Sequence, residues 1–153
     1  MKIEEKIRSF GFEIPETPKP VAAYIPALLV NDLVFTSGQI PVVGGELKFK
    51  GKVGKEISKD QGYEAARICA LNALSAVKSV IGDLDKIDRI VKVVGFVASA
   101  EGFTGQPAVV NGASEFLKEV FGEKGMHARS AVGVAELPLG AAVEVEMIVK
   151  IKS

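Results

Sequence analysis

The sequence has few of the residues that build disulfides and metal centres. Cys69 is the only cysteine and His127 the only histidine among 153 residues. The chain therefore cannot form an internal disulfide, or a zinc site made of cysteine and histidine. Cys69 lies among apolar residues of a predicted helix, where a thiol usually serves as a small core group. We expect a protein of a reducing compartment that holds neither metal nor cofactor.

Charge of one sign is not in excess either. Lysine and arginine number 19, as do aspartate and glutamate, so the formal net charge is zero. No basic run is interleaved with aromatic residues. Because nucleic-acid binding depends on positive charge that neutralises phosphates, the composition argues against a protein dedicated to it.

The N-terminus also lacks the continuous apolar run of a signal peptide or a membrane-spanning helix. The first 20 residues mix charges with isolated apolar side chains, which excludes a signal peptide and a membrane-spanning stretch there. We expect a cytoplasmic protein with no membrane partner. A length of 153 residues with 48% hydrophobic composition is enough for one domain with a core.

The N-terminal segment is predicted to precede that domain. Residues 3–10 have apolar side chains at helical spacing, and Gly11 follows as a stop signal. Three prolines then favour an extended lead-in, at Pro15, Pro18 and Pro20. The sequence thus predicts a helix and lead-in over residues 1–20 and a domain over residues 21–153.

The first half of the domain alternates strand and helix signals. Residues 21–30 and 33–37 are rich in strand formers, and Asn31-Asp32 between them suits a hairpin turn. A short strand is expected over residues 46–50. Ser58 and Gln61 form a capping box, from which a long helix is predicted to run to Gly82.

The second half begins with an apolar run over residues 90–98, which is typical of a strand buried on both faces. A second helix is predicted over residues 106–121, with Pro107 in its first turn. Residues 143–151 alternate with the period of a strand that has one buried face, so Glu144 and Glu146 point away from the core. The order of elements predicts an α+β fold with the helices on one face of the sheet.

The pattern of residues 129–151 predicts an antiparallel hairpin, with a turn at residues 137–140. If both valine sets face one core, paired positions must sum to an odd number, and pairing Glu136 with Ala141 across a four-residue loop satisfies this condition. This register puts Arg129 opposite Ile148, on the same non-core face as Glu144 and Glu146.

Two interpretations of that face follow from the pattern. Glu144 would lie roughly 13 Å along the strand from Arg129 at ~3.3 Å per residue, which leaves space for a small molecule between them. Alternatively, Arg129 and Glu146 form an ordinary cross-strand ion pair that contributes little to stability.

A resemblance distinguishes these interpretations. The segments FTSGQIP (residues 35–41) and HARSAVGVAELPLGAAVEVE (residues 127–146), with the spacing of Tyr24 and Asn111, resemble the Rid family. These are the reactive intermediate deaminases, also called YjgF or L-PSP endoribonuclease-like proteins. The similarity runs from about Val21 to Ile151. It implies a chorismate-mutase-like β-sheet with two principal helices on one face, and a homotrimer with active sites between subunits.

The resemblance also implies a chemistry. Family members hydrolyse 2-iminobutanoate or 2-iminopropanoate to the 2-oxo acid and ammonia. The residue matching Arg129 holds the substrate carboxylate, a task that suits the planar guanidinium fork. The residue matching Glu144 serves as base or orienter for the attacking water. Whether Glu144 or the nearby Glu146 does so is left open.

Six further positions complete the expectation. Tyr24, Ser37, Gly38 and Asn111 match substrate-binding positions; the alternatives are a half-buried strand tyrosine, a simple turn and a helix-capping asparagine. His127 is a candidate proton carrier at the mouth of the cleft, or else a solvated loop residue. Ala131 stands where many members have cysteine.

Together with His127 and the long N-terminal segment, this last difference indicates a distinct subgroup. Two other functions are therefore kept: a protein that binds small carboxylic acids without turnover, as a binding or regulatory protein, and an endoribonuclease. An endoribonuclease needs an excess of positive charge to bind phosphates, and the composition has none.

Overall fold

The computed structural model describes residues 2–17 and 22–153. Its helices and strands follow the chain in the order α1 (Lys2–Ser9), β1 (Ala27–Val30), β2 (Leu33–Thr36), β3 (Val42–Val43), β4 (Glu46–Leu47), α2 (Lys59–Ile81), β5 (Ile87–Ala98), α3 (Gln106–Phe121), β6 (Ala128–Val134) and β7 (Val143–Ile151). The predicted α+β class, with the two long helices on one face of a sheet, is confirmed.

The main sheet has five strands in the order β1-β2-β7-β5-β6. Every neighbouring pair is antiparallel except β5 and β6, which run parallel and are joined through α3. The core lies between the sheet and the helices α2 and α3. It includes Leu74, Val93, Leu117 and Val145, all fully buried.

The two long helices begin and end as their sequences indicate. Ser58 accepts a hydrogen bond from the backbone N–H of Gln61, whose side chain accepts one from the Ser58 N–H, and α2 ends at Gly82 with φ of 84°. The helix α3 has the predicted bounds and Pro107 in its first turn. The helices pack closely, since a Cβ on Gly112 would lie 1.9 Å from the Tyr63 carbonyl oxygen.

The predicted N-terminal helix is also present. The carboxylate of Asp85 accepts hydrogen bonds from the backbone N–H groups of Lys2 and Ile3, and Ile7 is fully buried in the core. Glu4 is paired with Lys78 of α2. Of the predicted lead-in, residues 18–21 lie outside the described residues.

Some predicted strands are shorter than expected. The strand β1 begins at Ala27 instead of residue 21, directly after Pro26, which cannot donate to a ladder. The strand expected over residues 46–50 is only a two-residue piece, β4, because Phe49 has a φ of 57° that an extended strand does not allow.

The predicted hairpin between β6 and β7 is wrong. The strand β5 lies between them, so Arg129 pairs with Val93 and not with Ile148, while Ile148 pairs with Lys92. Glu136 does not pair with Ala141. Residues 135–142 form a connection long enough to span two strand spacings, ~10 Å. This connection is fixed by a hydrogen bond from Ala98 N–H to the Ala142 carbonyl.

The predicted common face of Arg129, Glu144 and Glu146 is wrong for the same reason. Residues paired across strands point to the same side of a sheet. Arg129 is level with Val93, which is level with Met147, and both are buried on the helix side. Glu144 and Glu146 point to the other side, which we call the outer face.

The outer face carries large apolar side chains beside these two glutamates. Its exposed apolar side chains include Leu28 at 52%, Phe35 at 38% and Val132 at 43%. The prediction that β5 is buried on both sides is therefore wrong for the chain alone, since Val94 and Phe96 on this face are only partly buried. Among residues 2–17 and 22–153, no helix has the length and apolar character needed to cross a membrane.

Candidate functional site

Arg129 is anchored to α3 by one end of its guanidinium group. Its Nη1 atom donates hydrogen bonds to Asn111 Oδ1 at 2.7 Å and to Ser114 Oγ at 3.2 Å. Asn111 and Ser114 are three residues apart, which places them on one side of the helix. The helix therefore holds the arginine in one position on the edge strand β6.

The other edge of the guanidinium remains available. Nη1 has two hydrogens, and both are used by α3. Within the described part of the chain, Nε and Nη2 have no hydrogen-bond acceptor. Arg129 borders a cavity of about 260 Å³ together with His127, Ser114 and Lys118. We call this the Arg129 cavity; its chemistry suits a small carboxylate, because the Nε and Nη2 hydrogens can be donated in parallel.

His127 is part of the same hydrogen-bonded group. Its Nδ1 lies 2.7 Å from the Gly125 carbonyl oxygen, and its Nε2 lies 2.9 Å from Ser114 Oγ. Burial lowers the pKa of His127; the Gly125 carbonyl opposes this effect, and the positive charge of Arg129 adds to it. The imidazole is therefore neutral at pH 7.

A second group of predicted site residues lies around Glu144. Gly38 follows β2 and is so close that a Cβ there would stand 2.1 Å from Glu144 Oε2. Ser37 is fixed beside it, because its hydroxyl donates to the Ile25 carbonyl at 2.6 Å and its N–H to the Pro26 carbonyl at 2.7 Å. Only glycine at position 38 leaves the carboxylate its present place.

The environment of Glu144 makes it a stronger base than an ordinary glutamate. Its side chain is half-buried, and burial raises its pKa; the negative charge of Glu146, two residues along the same face, raises it further. Glu146 itself is level with Val94 and Ser130 on the outer face. Tyr24 precedes β1, and its side chain is 60% exposed.

The predicted site residues thus fall into two groups on opposite sides of the sheet. The first joins Arg129, Asn111 and His127 on the helix side. The second joins Ser37, Gly38 and Glu144 at the outer face. Arg129 and Glu144 are also separated by three residues along the strands, ~10 Å, and by two strand spacings. One chain does not bring them together around one small molecule.

Ser114 is the site residue that the sequence analysis missed. It connects His127 with Arg129, and it lies one helical turn after Asn111. That spacing was the available signal, because a polar pair at i and i+3 interrupts the otherwise apolar side of α3. Asn111, for which a capping role was the alternative, makes its hydrogen bond with Arg129 instead.

The remaining reactive groups are outside both clusters. Cys69 is fully buried, its thiol donates to the Val143 carbonyl at 3.6 Å, and burial raises its pKa well above the usual value. This agrees with the expected role as a core group. Within residues 2–17 and 22–153, no group of three or more histidine, cysteine, aspartate or glutamate residues is arranged to hold a metal ion.

Comparison with known proteins gives one family. Residues 4–151 match the family model described as "YjgF/chorismate_mutase-like, putative endoribonuclease". The chain is 39% identical over 155 residues to Protein TCP17 of Trypanosoma cruzi, a match that covers 99% of this chain and 96% of that protein.

Two crystal structures are similar over nearly the whole chain. That of the protein Atu1372 from Agrobacterium tumefaciens, whose function is unknown, is 41% identical, with a TM-score of 0.93 and coverage of 99% of this chain and 93% of the other. That of a "putative endoribonuclease" from Shewanella oneidensis is 30% identical, with a TM-score of 0.93 and coverage of 97% and 99%.

Proposed function

We propose that this chain, which belongs to the YjgF/chorismate-mutase-like family, hydrolyses reactive 2-imino acids to 2-oxo acids and ammonia. The substrates are of the size of 2-iminobutanoate and 2-iminopropanoate. The observation that carries the proposal is the anchored guanidinium of Arg129, whose Nη1 is held by α3 and which borders a cavity, while Nε and Nη2 have no acceptor among the described residues.

Arg129 binds the substrate carboxylate in this proposal. A carboxylate accepts two parallel hydrogen bonds from Nε and Nη2, which fixes the plane of the imino acid as well as its position. Because Asn111 and Ser114 already hold the guanidinium, little side-chain entropy is lost on binding.

Glu144 acts on the water. It accepts a proton as the water oxygen bonds to the C=N carbon, and the imine nitrogen takes up a proton. Glu144 then gives its proton to the amino nitrogen of the resulting amino alcohol, the C–N bond breaks, and ammonia leaves. The hydroxyl proton passes to the solvent, which had supplied the proton of the imine nitrogen, and the hydroxyl oxygen becomes the oxygen of the 2-oxo acid. One water is consumed for each ammonia released. The raised pKa of Glu144 suits it to this task, since base strength rises with pKa.

The two halves of this site come from neighbouring subunits. Arg129 and Glu144 lie on opposite sides of one sheet, so a substrate in contact with both needs a second copy of the chain. We propose a homotrimer, in which Tyr24, Ser37, Gly38 and Glu144 of one subunit face Arg129 of the next. The exposed apolar side chains of the outer face support such an assembly, because monomers seldom expose contiguous apolar surface.

A second candidate function is the binding of small carboxylic acids without turnover, as a binding or regulatory protein. It is favoured by the content of the Arg129 cavity itself, which has a carboxylate clamp but does not include Glu144. The endoribonuclease activity in the family description is less favoured, since the chain has a net charge of zero and thus no excess of positive charge for phosphates.

The test is an imine hydrolysis assay. A pyridoxal-phosphate-dependent threonine dehydratase generates 2-iminobutanoate continuously, and semicarbazide in the solution traps imine that is not hydrolysed. Wild-type protein should increase 2-oxobutanoate and lower the trapped product, whereas Arg129→Ala should not. Arg8→Ala is the matched control, because it removes an exposed arginine of α1 that belongs to neither group.

Three results would decide between the functions. Acceleration by wild type and Arg8→Ala, but not by Arg129→Ala, supports the deaminase. Saturable binding of 2-oxobutanoate with no acceleration supports the binding protein. Equal acceleration by Arg129→Ala and wild type would overturn the proposed role of the guanidinium.

A further inference from the structure

With a neutral imidazole, the three hydrogen bonds from Gly125 through His127 and Ser114 to Arg129 permit only one arrangement of protons. The Gly125 carbonyl can only accept, so His127 Nδ1 carries a hydrogen. The Arg129 guanidinium can only donate, so Ser114 Oγ accepts from Nη1. The Ser114 hydroxyl hydrogen is then donated to His127 Nε2, which has a free lone pair in the neutral ring.

Through the Ser114 hydroxyl, this arrangement of protons lets His127 influence the orientation of Arg129. With Nε2 as acceptor, the Ser114 hydroxyl hydrogen is turned toward the ring, and the oxygen lone pairs are turned toward Nη1. Without that acceptor the hydroxyl is free to rotate, and its hydrogen competes for the space that the Nη1 hydrogen occupies. The main chain at Gly125 fixes the tautomer, and the tautomer fixes the hydroxyl.

We propose that Ser114 and His127 are positioning residues for Arg129, with His127 as the neutral Nδ1–H tautomer. They keep the guanidinium rotated so that Nε and Nη2 face the Arg129 cavity. The proposal rests on the proposed function in one respect only, which is that Arg129 binds a carboxylate. It assigns no contact between His127 and the substrate.

The surrounding charges are compatible with a neutral ring. Glu115 and Lys118 of α3 border the same cavity. Burial raises the pKa of Tyr63, and the negative charge of Glu115 raises it further. Arg89 donates to the Met126 carbonyl at 2.6 Å. The hydrogen bonds of the imidazole itself go to a carbonyl and a hydroxyl, neither of which carries a charge.

The first experiment measures the tautomer directly. The full chain contains one histidine, so a ¹⁵N–¹H correlation spectrum of its imidazole has one set of signals. At pH 7.5 we expect Nδ1 protonated and Nε2 unprotonated, whereas an imidazole free in water prefers the hydrogen on Nε2. A protonated Nε2 would overturn the proposal, whatever the protein is found to bind.

The second experiment separates positioning from general damage to the cavity. Calorimetry compares binding of 2-oxobutanoate with that of its uncharged methyl ester, because only the acid has a carboxylate for Arg129. Ser114→Ala should weaken binding of the acid about tenfold, the size of one hydrogen bond to a charged group, and leave the ester unchanged. Ser114→Thr keeps the hydroxyl and should restore binding of the acid.

Two variants complete the comparison. His127→Ala should weaken the acid less than Ser114→Ala does, since the Ser114 oxygen remains. Ser79→Ala is the matched control, because it also removes a helix hydroxyl, one that donates to the Ala76 carbonyl in α2, and it should bind like wild type.

The failures are distinguishable. If Arg129→Ala binds the acid as tightly as wild type does, or if wild type does not bind it, the clamp and this proposal both fail. If Arg129→Ala loses binding but Ser114→Ala does not, or if Ser114→Ala weakens acid and ester equally, only the positioning role is overturned.

Discussion

Gly38 lies directly against the carboxylate of Glu144, so any larger residue at position 38 would displace that carboxylate. The contact joins two positions that are far apart in sequence and that belong to one half of the proposed site. A substitution at Gly38 can therefore shift the carboxylate of Glu144 while leaving the glutamate itself in place.

Gly38→Ala is therefore expected to separate activity from stability. The added Cβ would stand 2.1 Å from Oε2 and 2.8 Å from Cδ of Glu144, so the carboxylate must move. The end of a flexible side chain can move at little cost, and the thermal midpoint should change little. Imine hydrolysis should fall by at least ~10-fold, because a base displaced by about 1 Å loses its alignment with the water. Unchanged kcat with unchanged stability would contradict the placement of Glu144 beside the substrate.

Glu144→Gln should increase stability while it removes activity. The folded-state pKa of Glu144 is raised above the ordinary value of 4.5, so the folded protein binds its proton more tightly than the unfolded chain. The free energy of unfolding of the wild type should therefore fall as pH rises from about 4.5 through that folded-state pKa. Glu144→Gln has no ionisable group at this position, so its free energy of unfolding should not show this fall.

Urea unfolding at pH 4, 5.5 and 7 measures the effect. The variant should gain most over wild type at pH 7, and its kcat should fall by ~100-fold, the usual contribution of a general base. If Glu144→Gln is less stable than wild type at pH 7, the surroundings do not destabilise the charged carboxylate and the prediction is wrong.

Mixing two inactive variants should restore activity if the halves of the site come from different subunits. Arg129→Ala and Glu144→Ala are unfolded together, mixed in equal amounts and refolded. In a cyclic trimer, about one quarter of the randomly assembled sites have an intact Arg129 and an intact Glu144. Each variant refolded alone is the control. No recovery in mixed trimers would mean that both residues act within one chain, in contradiction to their positions on opposite sides of the sheet.

His127 should make the protein less stable in weak acid. Its pKa is lowered from 6.5 in the folded protein, so below pH 6.5 the unfolded chain binds a proton that the folded protein excludes. The free energy of unfolding should fall as pH drops from 6.5 to the folded-state pKa and then become constant. His127→Gln should lack this part of the pH dependence. An NMR titration of the single histidine with a midpoint at or above 6.5 would contradict the prediction.

The helices and the ends of several strands could be predicted because their signals are local. The capping box at Ser58 and Gln61 and the stop at Gly82 involve neighbours in sequence. The strand β7 has the predicted bounds, since alternation over nine residues determines which side chains share a face. Such patterns need no knowledge of the rest of the fold.

The partner of β6 could not be predicted in this way. A turn-like sequence at residues 137–140 suggested a hairpin, but the long apolar strand β5 pairs with both β6 and β7. The sequence also predicts the wrong face of β6, because the alternation of its valines indicates core residues. In the structure Asn111 and Ser114 lie beneath this edge strand, so Arg129 faces the helix and Val132 is exposed. That choice depends on polar contacts distant in sequence.

The exposed apolar side chains of the outer face affect how the stability of the protein depends on its concentration. If the proposed trimer covers this surface, folding and association become one equilibrium, and resistance to heat should increase with protein concentration. In very dilute solution Leu28 and Phe35 would meet water, and the protein would begin to bind hydrophobic dyes before its helices melt.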